Sequence, residues 1–585
     1  MKKKTLNTEF CVVGGGMAGL IAAVRAAREG IKVVLVHDRP VLGGNASSEI
    51  RMHICGADAN GKNKYARESG LLEEIRLEDL HRNPDHTFGM WDTILYEKVR
   101  YQENLTLLLN TIVNAADESD SKTIKNVQGY QLTTETHYEI RAKYFADCSG
   151  DGVLAPLINA QYRIGREARE EFNESLAPVK ADKKTMGLTC LFQAKRLNKR
   201  VRFVRPAWAY KLNEKHFEHP LRRITSIDAG YWWIEYGGEK DSIHDAEEIK
   251  DELLKTIYGI WAYIKNSGRF KADNYTLDWV QFLPGKRESR RYIGDYILTQ
   301  NDIENDGRFD DVVAYGGWPM DIHHPEGFWH KGTPTVFNKV SGIYGIPYRC
   351  LYSKNINNLF FAGRNASFTH VALSSTRVIG TCSLLGEAIG FAATIAVKHK
   401  LSPREVHVKK VKELQQRILA QGMYLPGIKM KMGDIVKKSK IIYPNTKEVE
   451  KIRDGFNRDL ENEKHSLSLS IGEPLVLAWD KPIFINKITL VFDTELNKPI
   501  LLSRIEKIKN DMKRLPSGLV KAFLISVFIN EKWQDIFREE ENFRYMQTIK
   551  VTRKVSKLRF VPVSSWGKKK IKINSVDISA ILSGR

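Results

Sequence analysis

Gly14-Gly15-Gly16-Met17-Ala18-Gly19 is the stretch that decides how this 585-residue chain begins to fold. The stretch fits the pattern G-x-G-x-x-G. A short apolar strand, Phe10 to Val13, precedes it, and an alanine-rich helix, Leu20 to Glu29, follows it and ends at Gly30. A second β-branched strand, Ile31 to Val36, completes a strand–helix–strand unit. This order predicts a Rossmann-type site for a dinucleotide.

Each position of the turn has a distinct role in such a site. Gly14 permits the tight turn, Gly16 lets the backbone approach a pyrophosphate, and Gly19 lets the helix pack closely on the strand. Met17 and Ala18 open the helix, whose N-terminal amides and dipole favour an anion.

The end of the second strand departs from the usual pattern. An acidic residue is expected there to bind the ribose hydroxyls, but Val36 is followed by His37 and only then by Asp38. Either His37 replaces the carboxylate or Asp38 reaches the ribose from one position further along. We favour Asp38, because a carboxylate accepts hydrogen bonds from both hydroxyls.

Later elements extend this pattern. Asp38 to Asn45, ending in Gly43-Gly44-Asn45, resembles the second phosphate and flavin-contact loop of glutathione-reductase-type flavoproteins. Phe145 to Gly152 resembles their D-A-T-G-D-G element, and Asn358 to Arg364 resembles their final N-L-F-x-A-G-R element. The helix start at Gly380-Thr381-Cys382 matches the helix that faces the flavin pyrimidine ring in those proteins.

The chain therefore resembles the FAD-dependent oxidoreductase family related to the fumarate-reductase and thiazole-synthesis flavoproteins. A GGNASSEIRM loop, a RESRR element and a C-terminal β-sandwich are similar to a branch often encoded beside glycan-degrading enzymes. The resemblance implies FAD as cofactor. The implied contacts are Gly14, Gly16, Met17, Ala18, Gly19, Asp38, Arg39, Gly43, Gly44, Asn45, Ala46, Ser47, Val113, Ser149, Gly150, Asp151, Gly363, Arg364, Gly380 and Thr381.

The same sequence argues against several other classes. No second G-x-G-x-x-G precedes a strand, which argues against a separate NAD(P)H domain. The six cysteines contain no C-x-x-C pair, so we expect no disulfide framework, no metal site and no redox dithiol, and a cytoplasmic location. The N-terminus has no apolar leader, and the longest later apolar stretch, Ala388 to Val397, is too short to span a bilayer.

Charge is the one extreme of composition. The formal net charge is +21, and 37 basic against 21 acidic residues after residue 400 leave +16 of it in the C-terminal third. The lysines are spread through apparent strands and form no tail or single helix face. Nucleic-acid binding is therefore disfavoured. The sequence gives no oligomeric state.

We predict an α/β fold with four parts. Residues 1–155 and 345–402 form a Rossmann-like FAD-binding domain, and residues 156–344 form a mixed α+β substrate or cap domain. Residues 403–444 form a basic helical linker. Residues 445–585 read as short alternating strands and predict a β-sandwich.

Four residues are candidates for the chemistry, since flavin chemistry needs a proton acceptor and cations near the reduced ring. His323, with Asp321 orienting it, and His370 are candidate bases, against the alternative that each is a satisfied structural histidine. Arg377 precedes the last helix and suits an anionic group or the flavin O2. Arg290 lies in Arg287-Glu288-Ser289-Arg290-Arg291, which suits either an acidic or hydroxyl-rich substrate or internal ion pairs.

We expect an enzyme that moves two electrons between flavin N5 and a small polar substrate, with a sugar or sugar derivative as the favoured class. Trp208, Trp232, Trp233 and Trp318 are candidates for a sugar-stacking cleft, against a core role. The alternatives are a flavin monooxygenase or halogenase, and a non-enzymatic glycan-binding protein with a degenerate flavin domain.

Overall fold

The glycine turn follows an inner strand of a mixed seven-stranded sheet in a computed structural model of the chain. The structure describes residues 2–120, 122–229, 231, 233–444, 448–503 and 512–580. Trp232, one of the predicted stacking tryptophans, lies outside these residues. The first elements are β1 Lys2–Val13, α1 Met17–Arg28, β2 Val33–Val36, α2 Leu71–Arg82, α3 Phe88–Arg100, β3 Leu105–Leu108, β4 Thr111–Asp120, β5 Thr123–Gln131, β6 Thr136–Asp147 and α4 Leu154–Leu157.

The middle of the chain, between α4 and residue 347, forms small two-stranded sheets around one long helix. Its elements are β7 Tyr162–Arg163, α5 Arg169–Phe172, β8 Leu188–Thr189, β9 Phe192–Arg196, β10 Glu235–Tyr236, α6 Ala246–Asn266, β11 Tyr275–Val280, β12 Arg291–Tyr292, α7 Gln300–Glu304, β13 Val312–Gly316, β14 Met320–His323, β15 Thr335–Asn338 and β16 Tyr344–Pro347. The chain then returns to the first sheet through β17 Leu359–Phe361, α8 His370–Thr376, α9 Ile379–His399 and α10 Pro403–Leu419.

The first sheet has the strand order β3-β2-β1-β6-β5-β4, with β17 paired to β6. The pairs β1–β2, β2–β3, β1–β6 and β6–β17 are parallel, whereas β4–β5 and β5–β6 are antiparallel. The carboxyl ends of the parallel strands therefore meet at one edge, where ligands bind in open α/β sheets. The predicted α/β class and Rossmann-type unit are confirmed. Strand β1 begins at Lys2 and not at Phe10, because its exposed polar half pairs with β6 and gives no apolar signal.

Helix α9, which comes late in the chain, packs on α1 of the nucleotide-binding unit. It packs on α1 so closely that a Cβ at Gly386 would lie 2.0 Å from the carbonyl oxygen of Ala18. By length and composition α9 is apolar enough to cross a membrane, but 94% of its apolar window is buried inside the protein. Such burial is that of a core helix.

The C-terminal unit is one continuous antiparallel sheet. Its elements are α11 Asp434–Lys437, β18 Lys440–Ile442, β19 Leu467–Ser470, β20 Leu475–Phe492, β21 Val520–Ile529, β22 Lys532–Glu539, β23 Met546–Ser565 and β24 Lys570–Ser579. Strands β20 and β23 are long, and their register shifts between Ala478 and Ile483. Besides β23, the first half of β20 pairs with β18 and the second half pairs with β24. Apolar side chains from both halves enter one core. The β-rich prediction is confirmed, with two long bent strands where the sequence suggested short separate ones.

A buried ion pair attaches this unit to the first one. The Arg67 guanidinium contacts Glu73 of α2 and donates to the carbonyls of Thr494 and Glu495. Both charged side chains are fully buried, so their hydrogen bonds must be satisfied by this contact.

Candidate active site

The glycine turn between β1 and α1 is shaped by the end of β6. Gly14 has a φ of 103°, and a Cβ there would lie 2.5 Å from the carbonyl carbon of Cys148. A Cβ at Gly19 would lie 1.9 Å from the carbonyl oxygen of Gly14. Both positions therefore require glycine, one for its left-handed backbone and the other for the close approach of helix and strand.

His37 supports the turn from the second strand. The Gly15 N–H donates to His37 Nδ1 over 3.0 Å, and the His37 Nε2–H donates to the Val41 carbonyl over 3.1 Å. Burial lowers the pKa of His37, although Asp38 acts in the opposite direction. The ring is therefore neutral and both its nitrogens are occupied. The side chain of Asp38 is 53% exposed beside Arg39, which favours Asp38 as the ribose contact.

A gap without side chains separates the turn from the loop that follows β2. The Gly43 N–H donates to the Gly15 carbonyl over 2.9 Å, and a Cβ at Gly16 would meet nothing nearer than the Gly44 Cα at 4.0 Å. Gly16 caps α1 without a side-chain hydrogen bond, and the first turn of α1, which includes Met17 and Ala18, contains no acidic residue. The gap and the helix N-terminus together form a cradle for an anion.

The loop after β2 continues from this gap toward the middle of the chain. Ala46 and Ser47 lie buried in its short 3-10 turn, and the Ser47 hydroxyl donates to the Gly44 carbonyl over 2.7 Å. Asn45 Nδ2 donates to the carbonyl of Lys286 over 3.2 Å. This contact connects the predicted flavin loop to the RESRR region.

Asp147 connects the predicted FAD element at Phe145 to Gly152 with the loop that follows the element at Asn358 to Arg364. Its buried carboxylate accepts hydrogen bonds from the Ser149 N–H at 3.0 Å, from Asn365 Nδ2 at 3.2 Å and from the Tyr292 hydroxyl at 2.7 Å. The Tyr292 ring also stacks on Phe361 with centroids 4.5 Å apart. These contacts fix the loop that contains Gly150 and the loop after β17.

Asp151 is engaged within the protein. Lys286 Nζ lies 2.8 Å from its carboxylate, and Arg364 and the Ser289 hydroxyl also donate to it. Burial raises the pKa of Asp151, but Arg364 and Lys286 outweigh burial and hold that pKa below its usual range. Asp151 and Arg364 therefore form a charged joint between the first sheet and the RESRR region.

The remaining predicted FAD contacts lie at the same edge of the sheet. Gly363 has a φ of 118°, and Val113 is buried in β4, near the His37 carbonyl that accepts the Thr111 N–H at 2.9 Å. Helix α9 begins at Ile379, no side chain caps it, and the Gly380 N–H donates to the Cys55 carbonyl over 2.8 Å. Thr381 Oγ1 is buried without a hydrogen-bond partner among the described residues.

A cavity of about 650 Å³ lies between these loops and the middle of the chain. Its wall combines predicted flavin-loop residues with side chains of β14, β15 and the segment before β10. The wall includes Asn45, Ile50, Met52, His53, Cys55, Thr189, Leu191, Arg223, Tyr231, Trp233, Gln281, Lys286, Arg287, Trp318, Asp321, His323, Phe337, Arg364, Arg377, Val378 and Ile379. This volume suits a small ligand and a flavin ring in one enclosed space.

Five charged side chains form one connected group, here called the ionic chain: Arg377, Asp321, His323, Glu235 and Arg287. All of them except Glu235 line the cavity. His323 Nδ1 lies 2.8 Å from Glu235, and His323 Nε2 lies 3.0 Å from Asp321. Arg287 contacts Glu235 at 2.5 Å, and Arg377 lies 3.5 Å from the Asp321 carboxylate. The ionic chain joins β10, β14, the RESRR element and the residue that follows α8.

The ionic chain changes the role of His323. Burial alone lowers the pKa of His323, but Asp321 and Glu235 outweigh burial and raise it. Both ring nitrogens donate to carboxylates, so the imidazole is a cation and has no lone pair for another proton. The structure thus places His323 and Asp321 together, and this geometry favours a buried cation over the predicted base for His323.

His370 and Arg290 lie away from the cavity wall. His370 is 2% exposed, and its Nδ1 lies 2.9 Å from Glu288. The Arg290 guanidinium contacts the Asp151 carbonyl at 3.4 Å. Arg291 pairs with Glu167 at 2.9 Å. Neither His370 nor Arg290 is among the cavity-lining residues, and the RESRR element forms mainly internal ion pairs, with Arg287 as its cavity-lining member. The catalytic roles of His370 and Arg290 stay predictions, which this placement does not favour.

His53 is a cavity residue that the sequence analysis missed. It lies nine residues beyond Gly44, is 7% exposed, and burial lowers its pKa to about 4. The ring is therefore neutral at physiological pH. Cys55, also on the wall, is unsuited to thiolate chemistry because burial raises the pKa of its thiol. The only sequence signal for His53 was its distance from the glycine loop.

The predicted stacking tryptophans separate into two groups. Trp233 and Trp318 line the cavity together with Tyr231 and Phe337. Trp208 does not line it and packs edge-on against Tyr258. The cavity thus has aromatic walls as well as a charged one.

One cluster outside the cavity has metal-ligating residue types. The ligand atoms of His324, Glu326 and His330 lie within 4.8 Å of one another. The two imidazoles stack with centroids 3.4 Å apart and planes 13° from parallel. A metal binds a lone pair in the plane of the ring, and two stacked parallel rings cannot direct those lone pairs at one ion. The absence of a metal site stays a prediction.

Residues 9–418 match the family described as FAD dependent oxidoreductase, which is more than two thirds of the chain. The chain belongs to this family. It is therefore an FAD-dependent oxidoreductase, and its cofactor is FAD. The residues fit that cofactor, since the side-chain-free gap at Gly16 and Gly44 and the uncapped starts of α1 and α9 offer the amides that phosphates and a flavin ring require.

Solved structures similar to this FAD-dependent oxidoreductase include flavoproteins. A geranylgeranyl bacteriochlorophyll reductase-like protein from Thermoplasma acidophilum is 12% identical, with coverage of 71% of this chain and 84% of that chain and a TM-score of 0.33. An E. coli quinol fumarate reductase FrdA variant is 11% identical, with 72% and 75% coverage and a TM-score of 0.29.

A different kind of structure is similar to a quarter of the chain. The family 32 carbohydrate-binding module from Streptococcus pneumoniae EndoD is 17% identical, with coverage of 25% of this chain and 98% of that chain and a TM-score of 0.20. No curated protein matches the sequence. The family assignment rests on the match over residues 9–418 and on none of these structures.

Proposed function

We propose that this FAD-dependent oxidoreductase moves two electrons between flavin N5 and a sugar or sugar derivative bound in the cavity. The observation that carries the proposal is that one cavity is lined both by predicted flavin-loop residues, including Asn45 and Arg364, and by the aromatic side chains of Tyr231, Trp233 and Trp318. FAD, when bound, accepts or gives two electrons at its ring. The protein must hold the substrate, exclude water and move a proton.

The aromatic walls favour a sugar because the C–H face of a pyranose is apolar and packs on an indole or phenol ring, while its hydroxyls need polar partners. Polar side chains also line this cavity, among them Asn45, Thr225 and Ser226. A small number of polar groups among apolar walls is the usual composition of a small-molecule site.

Proton movement falls to His53 in this proposal. The ring is neutral, lies on the cavity wall and stands close in sequence to the flavin loop. His323 is the opposite case, since its charge is fixed by two carboxylates. We propose that His53 accepts the hydroxyl proton of the substrate during oxidation, while the ionic chain supplies positive potential near the reduced ring.

The test is an anaerobic screen in which purified holoenzyme is mixed with a panel of aldoses, uronic acids and aminosugars and the visible flavin absorbance is followed. Bleaching by at least one of these compounds supports the proposal. If none bleaches the flavin, but NADPH reduces it and oxygen-dependent product formation follows, the sugar proposal is wrong and the enzyme is a monooxygenase.

A further inference from the structure

The ionic chain contains more positive than negative charge. Arg377, His323 and Arg287 are three cations, whereas Asp321 and Glu235 are two carboxylates, so the group has a net charge of +1. All five side chains are at most 14% exposed. An uncompensated charge in such a place costs free energy, unless an anion completes the group when the site is filled.

Within the ionic chain, Arg377 has a guanidinium whose N–H donors are not all used. Its NH2 group donates to the Asp321 carbonyl at 3.2 Å and reaches the carboxylate at 3.5 Å. Its Nε is buried and has no hydrogen-bond partner in the part of the chain that the structure describes. Burial lowers the pKa of Arg377, although Asp321 opposes this effect, so the guanidinium gains by meeting an anion.

The other cations of the wall divide into bound and open groups. Lys286 and Arg364 both pair with the carboxylate of Asp151. This trio has one excess positive charge and lies where the first sheet meets the RESRR region. Arg223, which also lines the cavity, is exposed. The cavity therefore has one exposed cation in addition to the buried cations of the ionic chain.

We infer that the substrate is a monoanionic sugar acid whose carboxylate is bound by Arg377, with the exposed Arg223 attracting it to the cavity. A guanidinium and a carboxylate match in shape and form paired hydrogen bonds. One carboxylate is enough to cancel the single net charge of the ionic chain. This inference rests on the proposed function and names the substrate class within it.

The reduced flavin ring is the other source of negative charge that could meet Arg377. The flavin ring is neutral when oxidised and becomes anionic only on reduction. A sugar acid carries its negative charge in either state of the flavin. Binding to the oxidised holoenzyme, without turnover, therefore reports on the substrate carboxylate alone.

The experiment measures dissociation constants from the perturbation of the oxidised flavin spectrum, with glucuronate, galacturonate and gluconate as probes and their neutral amides as matched controls. We expect at least one acid to bind about 10- to 100-fold more tightly than its amide. Arg377→Gln should remove that preference, and Arg377→Lys should restore part of it. Arg200→Gln is the control, since Arg200 is 85% exposed and pairs with Asp273.

The result that overturns the inference is equal binding of acids and amides, absence of binding by every acid, or an acid preference that survives in Arg377→Gln. A variant that binds acids normally but changes the flavin reduction potential assigns Arg377 to the reduced ring and also overturns it. Flavin content of each variant confirms that the fold is intact. If acids bind through Arg377 but no compound of the sugar panel bleaches the flavin, the proposed oxidation is wrong and only carboxylate binding at Arg377 stands. If neutral sugars alone bleach the flavin, the proposed function stands and this inference is wrong.

Discussion

The backbone N–H of Gly15 donates to the imidazole of His37 over 3.0 Å, so the second strand holds the glycine turn through a side chain. The usual acid at this position would face the ribose instead. The structure divides these two tasks between neighbours, with His37 inside and Asp38 outside.

His37→Ala should lower the free energy of unfolding by about 1–3 kcal/mol, because it leaves the buried Gly15 N–H without its acceptor. Urea unfolding of the FAD-free protein measures this change. A value within about 0.5 kcal/mol of the wild type would show that the contact does not stabilise the turn.

Asp38→Ala should leave the stability of the FAD-free protein within about 0.5 kcal/mol of the wild type, since its side chain is 53% exposed. FAD affinity should fall about tenfold or more with the loss of charge-assisted hydrogen bonds to the ribose. Fluorescence titration with FAD checks this. Unchanged affinity would assign the ribose to other residues.

These two residues also show what the sequence could provide. G-x-G-x-x-G, a strand before it and a helix after it sufficed for the nucleotide-binding unit, because those features follow from local backbone requirements. The choice between His37 and Asp38 stayed open, since neighbouring residues on a strand end point to opposite sides and only the position of Gly15 decides which side is inward.

Gly386→Ala should lower the free energy of unfolding by more than about 3 kcal/mol or prevent folding, because the added methyl would lie 2.0 Å from the Ala18 carbonyl oxygen and force α1 and α9 apart. Gly89→Ala, in helix α3 with no atom within 4 Å of the new methyl, is the matched control. It should stabilise by about 0.5–1 kcal/mol. Similar effects at both sites would contradict the close packing of α1 on α9.

His323→Gln and His370→Gln should differ in their effect on flavin reduction. The first leaves two carboxylates of the ionic chain without their shared cation and should destabilise the protein by about 3–5 kcal/mol and reduce the rate of flavin reduction at least a hundredfold. The second removes a contact with Glu288 outside the cavity and should change that rate less than tenfold. Stopped-flow reduction of each holoenzyme distinguishes them, and the reverse order of effects would restore His370 as the base.

Stability should decrease as the pH falls through the range set by His53. Its pKa in the folded protein is about 4, against an ordinary value of 6.5, so the unfolded chain binds the proton first. The wild type should therefore lose about 3 kcal/mol more than His53→Gln between pH 6.5 and 4. Parallel stability curves for the two proteins would show that His53 is not buried as a neutral ring.

The cavity was less accessible to sequence reasoning than the nucleotide-binding unit. Glu235 lies 88 residues from His323, and no local pattern announces that β10 and β14 bring the two side chains to 2.8 Å. His370 was a reasonable candidate from its loop, but α8 turns it toward Glu288. Site residues that depend on long-range packing, unlike a glycine turn, have no signature of their own.

The most direct test of the account is Gly16→Val, followed by flavin content and anaerobic bleaching. Gly16 has φ of −61° and ψ of 174°, which valine adopts, and the Cβ of the added side chain would enter the gap, 4.0 Å from the Gly44 Cα. We predict a folded protein that has lost FAD and is reduced by no substrate. A variant that keeps FAD and bleaches like the wild type would contradict the placement of the pyrophosphate on this turn.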